Sequence, residues 1–290
     1  MPNRNPSVLL VGCGSLGLLV ADALLSENWH VSAVRRNPPE TPLNIQWFAA
    51  DYTESGSLSF AQDLKPDYVV ATLTPAAMDV DGYQRGFAGS ASNLLRGLAE
   101  HRTKHLLMVS STRVYAETAG GWVDEDSPLA LRDPRASAII DAELTFQQSG
   151  HPATAVRCGG IYGSLSNRLI SRVATGKIAP SRPTRYTNRI HQQDCALFLV
   201  HLLTLSNQGK QPAQVYNCVD DSPAAAYEVE TWLANAVGAN SRADNNSAPR
   251  GHKRCRNTRM HKTGYKLAYP NYRAGYTQLL EDRKYRPEYS

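Results

Sequence analysis

The amino-acid sequence predicts an α/β fold: a Rossmann-type, doubly wound parallel sheet with a smaller, interwoven C-terminal lobe. Short apolar runs alternate with helical patterns along the chain, which is typical of parallel strands joined by crossover helices. A glycine-rich turn follows the first of these runs, and 290 residues suffice for one large domain or two integrated ones. We expect the sheet domain over residues 1–160 and the lobe over 161–290, with 186–220 returning to the sheet.

The first predicted strand, Val8–Val11, leads into the glycine-rich turn and then into an amphipathic helix. Gly12 permits the tight turn, Gly14 lets a pyrophosphate approach the backbone, and Gly17 lets the helix pack closely on the strand. N–H groups and the positive dipole end at the helix start then face phosphates. This order predicts a dinucleotide site, although a glycine turn alone also occurs for packing reasons. The predicted cofactor-binding residues of the turn are Gly12, Gly14, Ser15, Leu16 and Gly17.

The second predicted strand, His30–Val34, ends on two arginines, Arg35 and Arg36. An NAD site carries an acidic residue about 20 residues beyond the glycines, where it accepts a hydrogen bond from the ribose 2′-hydroxyl. An arginine cannot accept that bond, but it can pair with a 2′-phosphate. We therefore expect NADP to be preferred over NAD. The alternative is that the two arginines are only solvated.

Two further strands are predicted to end near the same edge of the sheet, where ligands bind in open α/β folds. Ile45–Ala50 ends at Asp51, which is placed either to hydrogen-bond the adenine of a cofactor or to cap a helix. The buried run Tyr68–Leu73 is closed by Thr74-Pro75. These strand ends add Asp51, Thr72, Leu73 and Thr74 to the predicted cofactor-binding residues.

Four later segments extend the pattern along the chain; they are Val109–Tyr115, Val123–Glu125, Arg157–Gly163 and Arg189–Asp194. Together with the glycine turn, they resemble the extended short-chain dehydrogenase/reductases, the NAD(P)-dependent epimerases and dehydratases of nucleotide sugars. The resemblance covers nearly the whole chain. It implies a Rossmann fold with a substrate-binding C-terminal lobe, a nicotinamide cofactor and a small anionic substrate.

The resemblance implies that Ser111 is the catalytic hydroxyl, which orients a substrate carbonyl or alcohol. It also implies a Tyr-x-x-x-Lys motif on the predicted helix 134–149, where the tyrosine moves the proton and the lysine lowers its pKa. In this sequence Arg135 and Ile139 stand at those two positions. The chain therefore resembles the atypical members of the family, in which the fold and cofactor turn persist without this pair.

Another side chain must move the proton if the chain catalyses the family's reactions. The resemblance brings Tyr115, Tyr162 and His191 near the cleft, whereas ordinary packing with a satisfied hydroxyl is the alternative for the tyrosines. For Ser111 the alternative is a hydrogen bond at a strand end. The predicted catalytic residues are Ser111 and Tyr115, and the substrate-binding residues implied by the resemblance are Thr112, Tyr162, His191 and Arg254.

The leading interpretation is an NADP-preferring epimerase, dehydratase or reductase that acts on a nucleotide-sugar-like anion by hydride transfer at the nicotinamide. The alternative is a non-catalytic NADP-binding protein that senses redox state or regulates a partner, because Arg135 and Ile139 move no proton. The basic run over 252–262 lacks interleaved stacking side chains, so no nucleic acid partner is expected. The resemblance further implies a homodimer through helices 83–98 and 134–149.

The cysteines are odd in number, far apart and without C-x-x-C spacing; they are Cys13, Cys158, Cys195, Cys218 and Cys255. This usage predicts reduced thiols in a cytoplasmic protein, with neither a disulfide framework nor a metal site. The net charge of +5 favours anionic ligands in general. No segment approaches the ~20 uninterrupted apolar residues of a membrane span, so a soluble protein without a membrane partner is expected.

Overall fold

The computed structural model describes residues 4–41, 43–164, 168–244 and 251–285. The strands are β1 Ser7–Val11, β2 His30–Arg35, β3 Gln46–Ala49, β4 Tyr68–Ala71, β5 His105–Ser111, β6 Trp122–Val123, β7 Ala153–Cys158, β8 Gly160–Tyr162, β9 Lys177–Ile178, β10 Tyr186–Thr187, β11 Arg189–His191, β12 Val215–Cys218, β13 Ala224–Ala225, β14 Arg242–Ala243 and β15 Arg254–Cys255. The helices are α1 Ser15–Ser26, α2 Ala61–Leu64, α3 Val80–Gln84, α4 Ser90–Leu98, α5 Pro134–Gln147, α6 Arg168–Ala174, α7 Gln192–Asn207, α8 Ala226–Ala236, α9 Thr258–Lys262 and α10 Tyr272–Tyr285.

Seven strands form one parallel sheet in the order β12-β7-β5-β4-β1-β2-β3. The chain adds strands on one side of β1 and then returns to add β4 and the later strands on the other side. The carboxyl ends of β1 and β4 therefore flank the point where the winding direction changes, which is where open α/β sheets bind ligands. The predicted doubly wound, Rossmann-type sheet is confirmed.

Contacts within the chain group it into two compact units. Unit 1 is Met1–Val114, Leu129–Arg157 and Ala196–Tyr216, and unit 2 is Tyr115–Pro128, Cys158–Cys195 and Asn217–Ser290. Unit 1 contains nearly all of the seven-stranded sheet, and unit 2 contains the four two-stranded sheets. The division that we predict from the sequence, 1–160 and 161–290 with 186–220 returning to the sheet, stays a prediction.

The strands at the centre of unit 1 are continuously apolar. β4 is buried along its whole length, and β1 is buried from Val8 onward. Parallel strands covered by helices on both faces need such runs, because neither face meets water. β5 runs to Ser111 and places the buried Ser110 near its carboxyl end. The Ser110 hydroxyl is satisfied there because it donates to a carboxylate oxygen of Glu143.

The predicted helix 83–98 begins earlier than expected and contains a π-helical turn. It starts at Val80 because the Asp79 side chain caps it, accepting a hydrogen bond from Gly82 N at 2.7 Å. The π turn spans Arg85–Gly89, between α3 and α4. A Cβ at Gly86 would lie only 2.2 Å from the carbonyl oxygen of Thr74. The helix can therefore pass directly against the turn that follows β4.

Unit 2 has an apolar core of its own, built mainly on α6, α8 and α10. Its buried members are Tyr162, Ile170, Val173, Ile178, Ala224, Val229, Leu233, Ala234, Tyr272, Tyr276 and Leu279. Helix α6 of this core begins at Arg168. The short strand β14 pairs in parallel with β9. No helix in the described ranges is long and apolar enough to cross a bilayer.

Candidate dinucleotide-binding site

The turn between β1 and α1 needs glycine at its first position. Gly12 has φ +82°, and a Cβ there would lie 2.7 Å from the carbonyl oxygen of Thr72. The Thr72 hydroxyl also donates to the Gly12 carbonyl at 2.6 Å, so the ends of β1 and β4 are tied together. Leu73, the next residue, is buried beside this contact in the same unit.

The start of α1 is suited to an anion. Gly14 is the N-cap and has no side chain to bond the first N–H groups, and the first turn carries no acidic residue. Ser15 is exposed at this end, whereas Gly17 is buried, with the Cys13 sulfur 3.0 Å from the place of a Cβ. Uncapped N–H groups and a positive dipole end are the features that hold a pyrophosphate at a helix start.

A cavity of about 280 Å³ opens beside this turn in unit 1. Its lining joins the glycine turn, the ends of β2 and β3, and the turn after β4. The lining residues are Gly12, Gly14, Arg35, Arg36, Asn37, Asp51, Tyr52, Thr53, Thr74, Pro75 and Ala76. The structure thus brings together most of the residues that we predict to bind the cofactor, at the edge of the sheet where a dinucleotide is expected.

Both arginines at the end of β2 lie at the cavity. Arg36 pairs with Asp51 at 3.7 Å, and the Arg36 side chain is 77% exposed. Asp51 accepts hydrogen bonds from the Thr53 backbone N–H at 2.9 Å and from its hydroxyl at 2.7 Å. Partial burial opposes ionisation of Asp51, but the bonds from Thr53 and the charge of Arg36 lower its pKa. Asp51 is therefore an anionic anchor of the turn after β3.

Sequence reasoning missed several side chains of this cavity. The Tyr52 hydroxyl shares a hydrogen bond with the Thr74 hydroxyl at 3.1 Å, and the Tyr52 carbonyl accepts from the Asn93 amide. These bonds bring the turn after β3 next to the turn after β4. The sequence signal that could have identified them is the polar pair Tyr52-Thr53 directly after a predicted strand. The carboxyl ends of neighbouring parallel strands meet at one edge of the sheet, so side chains just after a strand are candidates for the site.

The end of β5 carries Ser111 and Thr112, both half-buried. Ser111 Oγ accepts a hydrogen bond from Arg113 N at 3.2 Å, which is the strand-end bond weighed above as its alternative role. Thr112 begins the 3₁₀ turn that follows the strand. The catalytic role of Ser111 and the substrate contact of Thr112 stay predictions.

The two positions of the expected Tyr-x-x-x-Lys motif lie on α5. Ile139 is buried, with 2% of its surface exposed. The Arg135 guanidinium lies 5.7 Å from the ring centroid of Tyr83, and the Arg113 guanidinium lies 5.8 Å from the same ring. Tyr83 is thus flanked by two cations, an arrangement stabilised by the ring quadrupole. Neither position therefore carries the tyrosine or the lysine of the motif.

Tyr115, the other candidate catalytic residue, belongs to unit 2 and is 1% exposed. Its hydroxyl donates to Asn217 Oδ1 at 2.6 Å, and its carbonyl accepts from Lys253 Nζ at 2.6 Å. This is the packed tyrosine with a satisfied hydroxyl that we weigh above as the alternative. Its catalytic role stays a prediction.

Tyr162 and His191 meet in unit 2, with ring centroids 5.3 Å apart in an edge-to-face arrangement. Within the described residues, five buried side-chain atoms have no hydrogen-bond partner: Tyr162 Oη, Arg189 Nη1, His191 Nε2, Asp220 Oδ2 and Thr231 Oγ1. The charges of Asp220 and Arg189 also act on Tyr162. Burial raises the pKa of Tyr162 and lowers that of His191. A buried polar group left unpaired costs about 1–3 kcal/mol, so this polar cluster suits a polar ligand.

Asp220 was not singled out from the sequence, and it gives the cluster a pH dependence. Desolvation raises its pKa from 3.8 to about 7, against the opposing hydrogen bond from Ser222 N. The unfolded chain therefore ionises this group from about pH 4, whereas the folded chain holds its proton to about pH 7. Its contribution to stability is lost as the pH rises through that window.

Asp220→Asn is expected to remove this loss. Between pH 4 and pH 8 the free energy of unfolding of the wild type should fall by about 4 kcal/mol more than that of the variant. Urea unfolding at a series of pH values measures the difference. Asp141→Asn, on the exposed face of α5, is the control and should follow the wild-type curve. Parallel curves for wild type and Asp220→Asn would contradict the assignment.

Arg254, one of the substrate-binding residues that the resemblance implies, also lies in unit 2. Its Nε donates to the Gly120 carbonyl at 2.9 Å, and its guanidinium lies 5.0 Å from the Trp122 ring centroid and 4.6 Å from that of Tyr186. Both rings attract the guanidinium through their quadrupoles. Its contact with a substrate stays a prediction.

Comparison with known proteins places the chain in a family. Residues 12–205 match the NAD(P)H-binding family model. A structure from Methylobacillus flagellatus, described as a candidate NAD-dependent epimerase/dehydratase, is 29% identical with a TM-score of 0.81, over 97% of this chain and 100% of that one. A comparison with curated proteins gives no match.

Two more distant structures show the same fold. MoeE5, in complex with UDP-glucuronic acid and NAD, is 18% identical with a TM-score of 0.80, over 96% of this chain and 99% of that one. The human epimerase family protein SDR39U1, isoform 2 with NADPH, is 18% identical with a TM-score of 0.74, over 95% and 99%. The chain belongs to the NAD(P)H-binding family and has the fold of the extended short-chain dehydrogenase/reductases, as its sequence predicts.

Proposed function

We propose that the chain is an NADP(H)-dependent enzyme of the epimerase, dehydratase or reductase type, acting on a nucleotide-sugar-like anion. The observation that carries the proposal is the cavity of unit 1, where Arg35 and Arg36 stand at the end of β2 beside the glycine turn. The glycines would hold the pyrophosphate and the arginines would hold the 2′-phosphate. When bound, the nicotinamide supplies reversible hydride transfer.

The preference for NADP(H) follows from the charges at the end of β2. We expect the wild type to bind NADPH at least about 10-fold more tightly than NADH, because a charge-assisted hydrogen bond contributes about 1.5–3 kcal/mol. Arg35→Ala combined with Arg36→Ala should abolish this ratio by weakening NADPH binding alone. Isothermal titration calorimetry measures both constants.

The matched control for this titration is Arg132→Ala, since Arg132 is exposed and does not line the cavity. It should retain the wild-type ratio of the two dissociation constants. Equal affinity of the wild type for NADPH and NADH would refute the preference, and so would an unchanged ratio in the double variant.

The proposed substrate class rests on unit 2 and on the related structures. MoeE5 was solved with UDP-glucuronic acid, and a UDP-glucose 4-epimerase of Thermotoga maritima was solved with UDP-glucose. In this chain, Arg254 is the proposed phosphate contact, and Tyr162 and His191 are the proposed contacts to the sugar. Thr112 is the proposed further contact, from the end of β5. A guanidinium close to two aromatic rings can pair with a diphosphate, and buried polar atoms without a hydrogen-bond partner suit sugar hydroxyls.

Ser111→Ala tests the proposed chemistry. Turnover with UDP-glucose or UDP-glucuronic acid, followed at 340 nm for the cofactor and by chromatography for the sugar, should fall about 10-fold or more through loss of one positioned hydroxyl. The Kd for NADPH should change less than about twofold, because Ser111 does not line the cavity. Unaltered turnover would remove Ser111 from the catalytic assignment.

A non-catalytic NADP(H)-binding protein is the second candidate, and one observation favours it. Ile139 is buried and the Arg135 guanidinium lies 5.7 Å from the Tyr83 ring centroid, so neither motif position carries the tyrosine or the lysine that the family's hydride chemistry uses. Tight NADPH binding without turnover of either UDP-sugar, in wild type and Ser111→Ala alike, would decide for this candidate. The cytoplasmic location remains a prediction. So does the homodimer through helices 83–98 and 134–149, which light scattering would test by measuring the molar mass in solution.

A further inference from the structure

Three of the five cysteines converge in unit 2. Cys158 is the last residue of β7, Cys218 is the last residue of β12, and Cys195 lies in the first turn of α7. Their sulfur atoms all lie within 4.8 Å of one another, and those of Cys158 and Cys195 are 3.6 Å apart. All three are buried. Sequence spacing could not reveal this, because the sheet order rather than the chain order brings the two strand ends together.

We propose that Cys158, Cys195 and Cys218 form a trigonal thiolate site for a soft monovalent metal ion, Cu(I). Metal–sulfur bonds of about 2.3 Å place three sulfurs of a planar trigonal site about 4.0 Å apart. The observed separations, 3.6 Å for one pair and at most 4.8 Å for the others, bracket that value. Shifts of a few tenths of an ångström therefore suffice to close the site around an ion.

The donor set selects the metal. Structural zinc sites are tetrahedral and need a fourth ligand, whereas soft thiolates without one suit Cu(I). Asp194 directly precedes Cys195 in the chain, but both oxygens of its carboxylate accept hydrogen bonds from other groups. Oδ1 accepts from Tyr265 Oη at 3.1 Å and from Ala268 N at 2.8 Å, and Oδ2 accepts from Tyr269 N at 2.9 Å. Among the described residues, only the three thiols form such a group.

The charge around the cluster favours a cation. The Asp194 carboxylate directly precedes Cys195 in the first turn of α7. A buried thiolate beside a carboxylate is costly unless a positive ion offsets it.

Binding is an ion exchange without electron transfer. Cu(I) forms three Cu–S bonds, the thiol protons pass to the buffer, and the copper remains Cu(I). The ion would tie the ends of β7 and β12 to the start of α7. Because these elements separate on unfolding, bound Cu(I) should raise the Tm by several degrees.

The test is an anaerobic titration of the fully reduced, full-length protein with Cu(I) against the chelator bicinchoninate. The wild type should take one Cu(I) per chain from the chelator. Cys195→Ser should bind more than about 100-fold more weakly, since loss of a mere supporting partner already costs 10- to 100-fold. Cys255→Ser, at a cysteine buried outside the cluster, is the matched control and should bind as the wild type does.

X-ray absorption at the copper edge needs no variant and covers the case in which Cys195→Ser fails to fold. Three sulfurs at about 2.3 Å in the wild type support the proposal. Nitrogen or oxygen ligands, or two sulfurs only, overturn it. It is likewise overturned if the folded wild type takes no copper from the chelator, if Cys195→Ser and Cys255→Ser bind equally, or if Zn(II) binds in preference.

Discussion

Arg157→Met is expected to lower the free energy of unfolding by about 3–5 kcal/mol, since it leaves a buried carboxylate without its partner. The Arg157 guanidinium and the Glu143 carboxylate are 4% and 2% exposed, and Arg157 Nη2 lies 2.7 Å from Glu143 Oε2. Arg157 Nε donates to Glu143 Oε1 at 3.1 Å, and the Ser110 hydroxyl donates to the same oxygen. All three residues lie in unit 1.

Urea unfolding of Arg157→Met and of a matched control measures this effect. Arg273→Met removes the arginine of an exposed ion pair, 58% and 54% exposed, and should cost no more than about 1 kcal/mol. Glu143→Leu combined with Arg157→Met should recover at least half of the loss, because an apolar pair of similar volume leaves no buried charge. A loss below about 1 kcal/mol in Arg157→Met would contradict the buried pair.

Gly12→Ala is expected to weaken NADPH binding by at least about 100-fold and to destabilise unit 1 by about 3 kcal/mol. A non-glycine residue at φ +82° costs about 1–2 kcal/mol by itself. The added methyl would also lie 2.7 Å from the Thr72 carbonyl oxygen, so β1 and β4 would have to separate at their carboxyl ends. That movement displaces the backbone that we propose to face the pyrophosphate.

The control for Gly12→Ala is Gly56→Ala, in the same unit. Gly56 has φ +79°, nearly the same conformation, but nothing lies within 4 Å of a Cβ there. It therefore carries the backbone cost alone, and NADPH affinity should remain at the wild-type value. Titration of both variants with NADPH, together with urea unfolding, separates the two contributions. Equal NADPH affinity in the two variants would show that the close approach to Thr72 plays no part.

The sheet and the cofactor turn could be predicted because their signals are local. Each signal predicts the structure of the residues directly around it. These signals are the apolar run that ends at Val11, the glycine at residue 12 and the arginines at the end of β2. The order of these elements then places their carboxyl ends at one edge of the sheet. The apolar face of the helix 83–98 can also be predicted from neighbouring residues. Its π turn cannot be predicted in this way, because it lies at Gly86, where the helix packs against the Thr74 carbonyl of a distant segment.

The remaining features depend on contacts between distant segments. Nothing in the sequence around Tyr115 predicts that its hydroxyl donates a hydrogen bond to Asn217, about a hundred residues later. Asp220 follows a strand in the manner of many surface aspartates, and only its burial raises its pKa to about 7. Spacing predicts separate thiols at Cys158, Cys195 and Cys218, whereas the sheet order brings them within 4.8 Å.

The most direct test of the central claim, that unit 1 binds NADP(H) through its glycine turn and paired arginines, is a crystal structure with NADP⁺. The account predicts the pyrophosphate at Gly12–Gly17 and the 2′-phosphate within hydrogen-bond distance of Arg35 or Arg36. A dinucleotide bound elsewhere, or a 2′-phosphate turned away from both arginines, would contradict it.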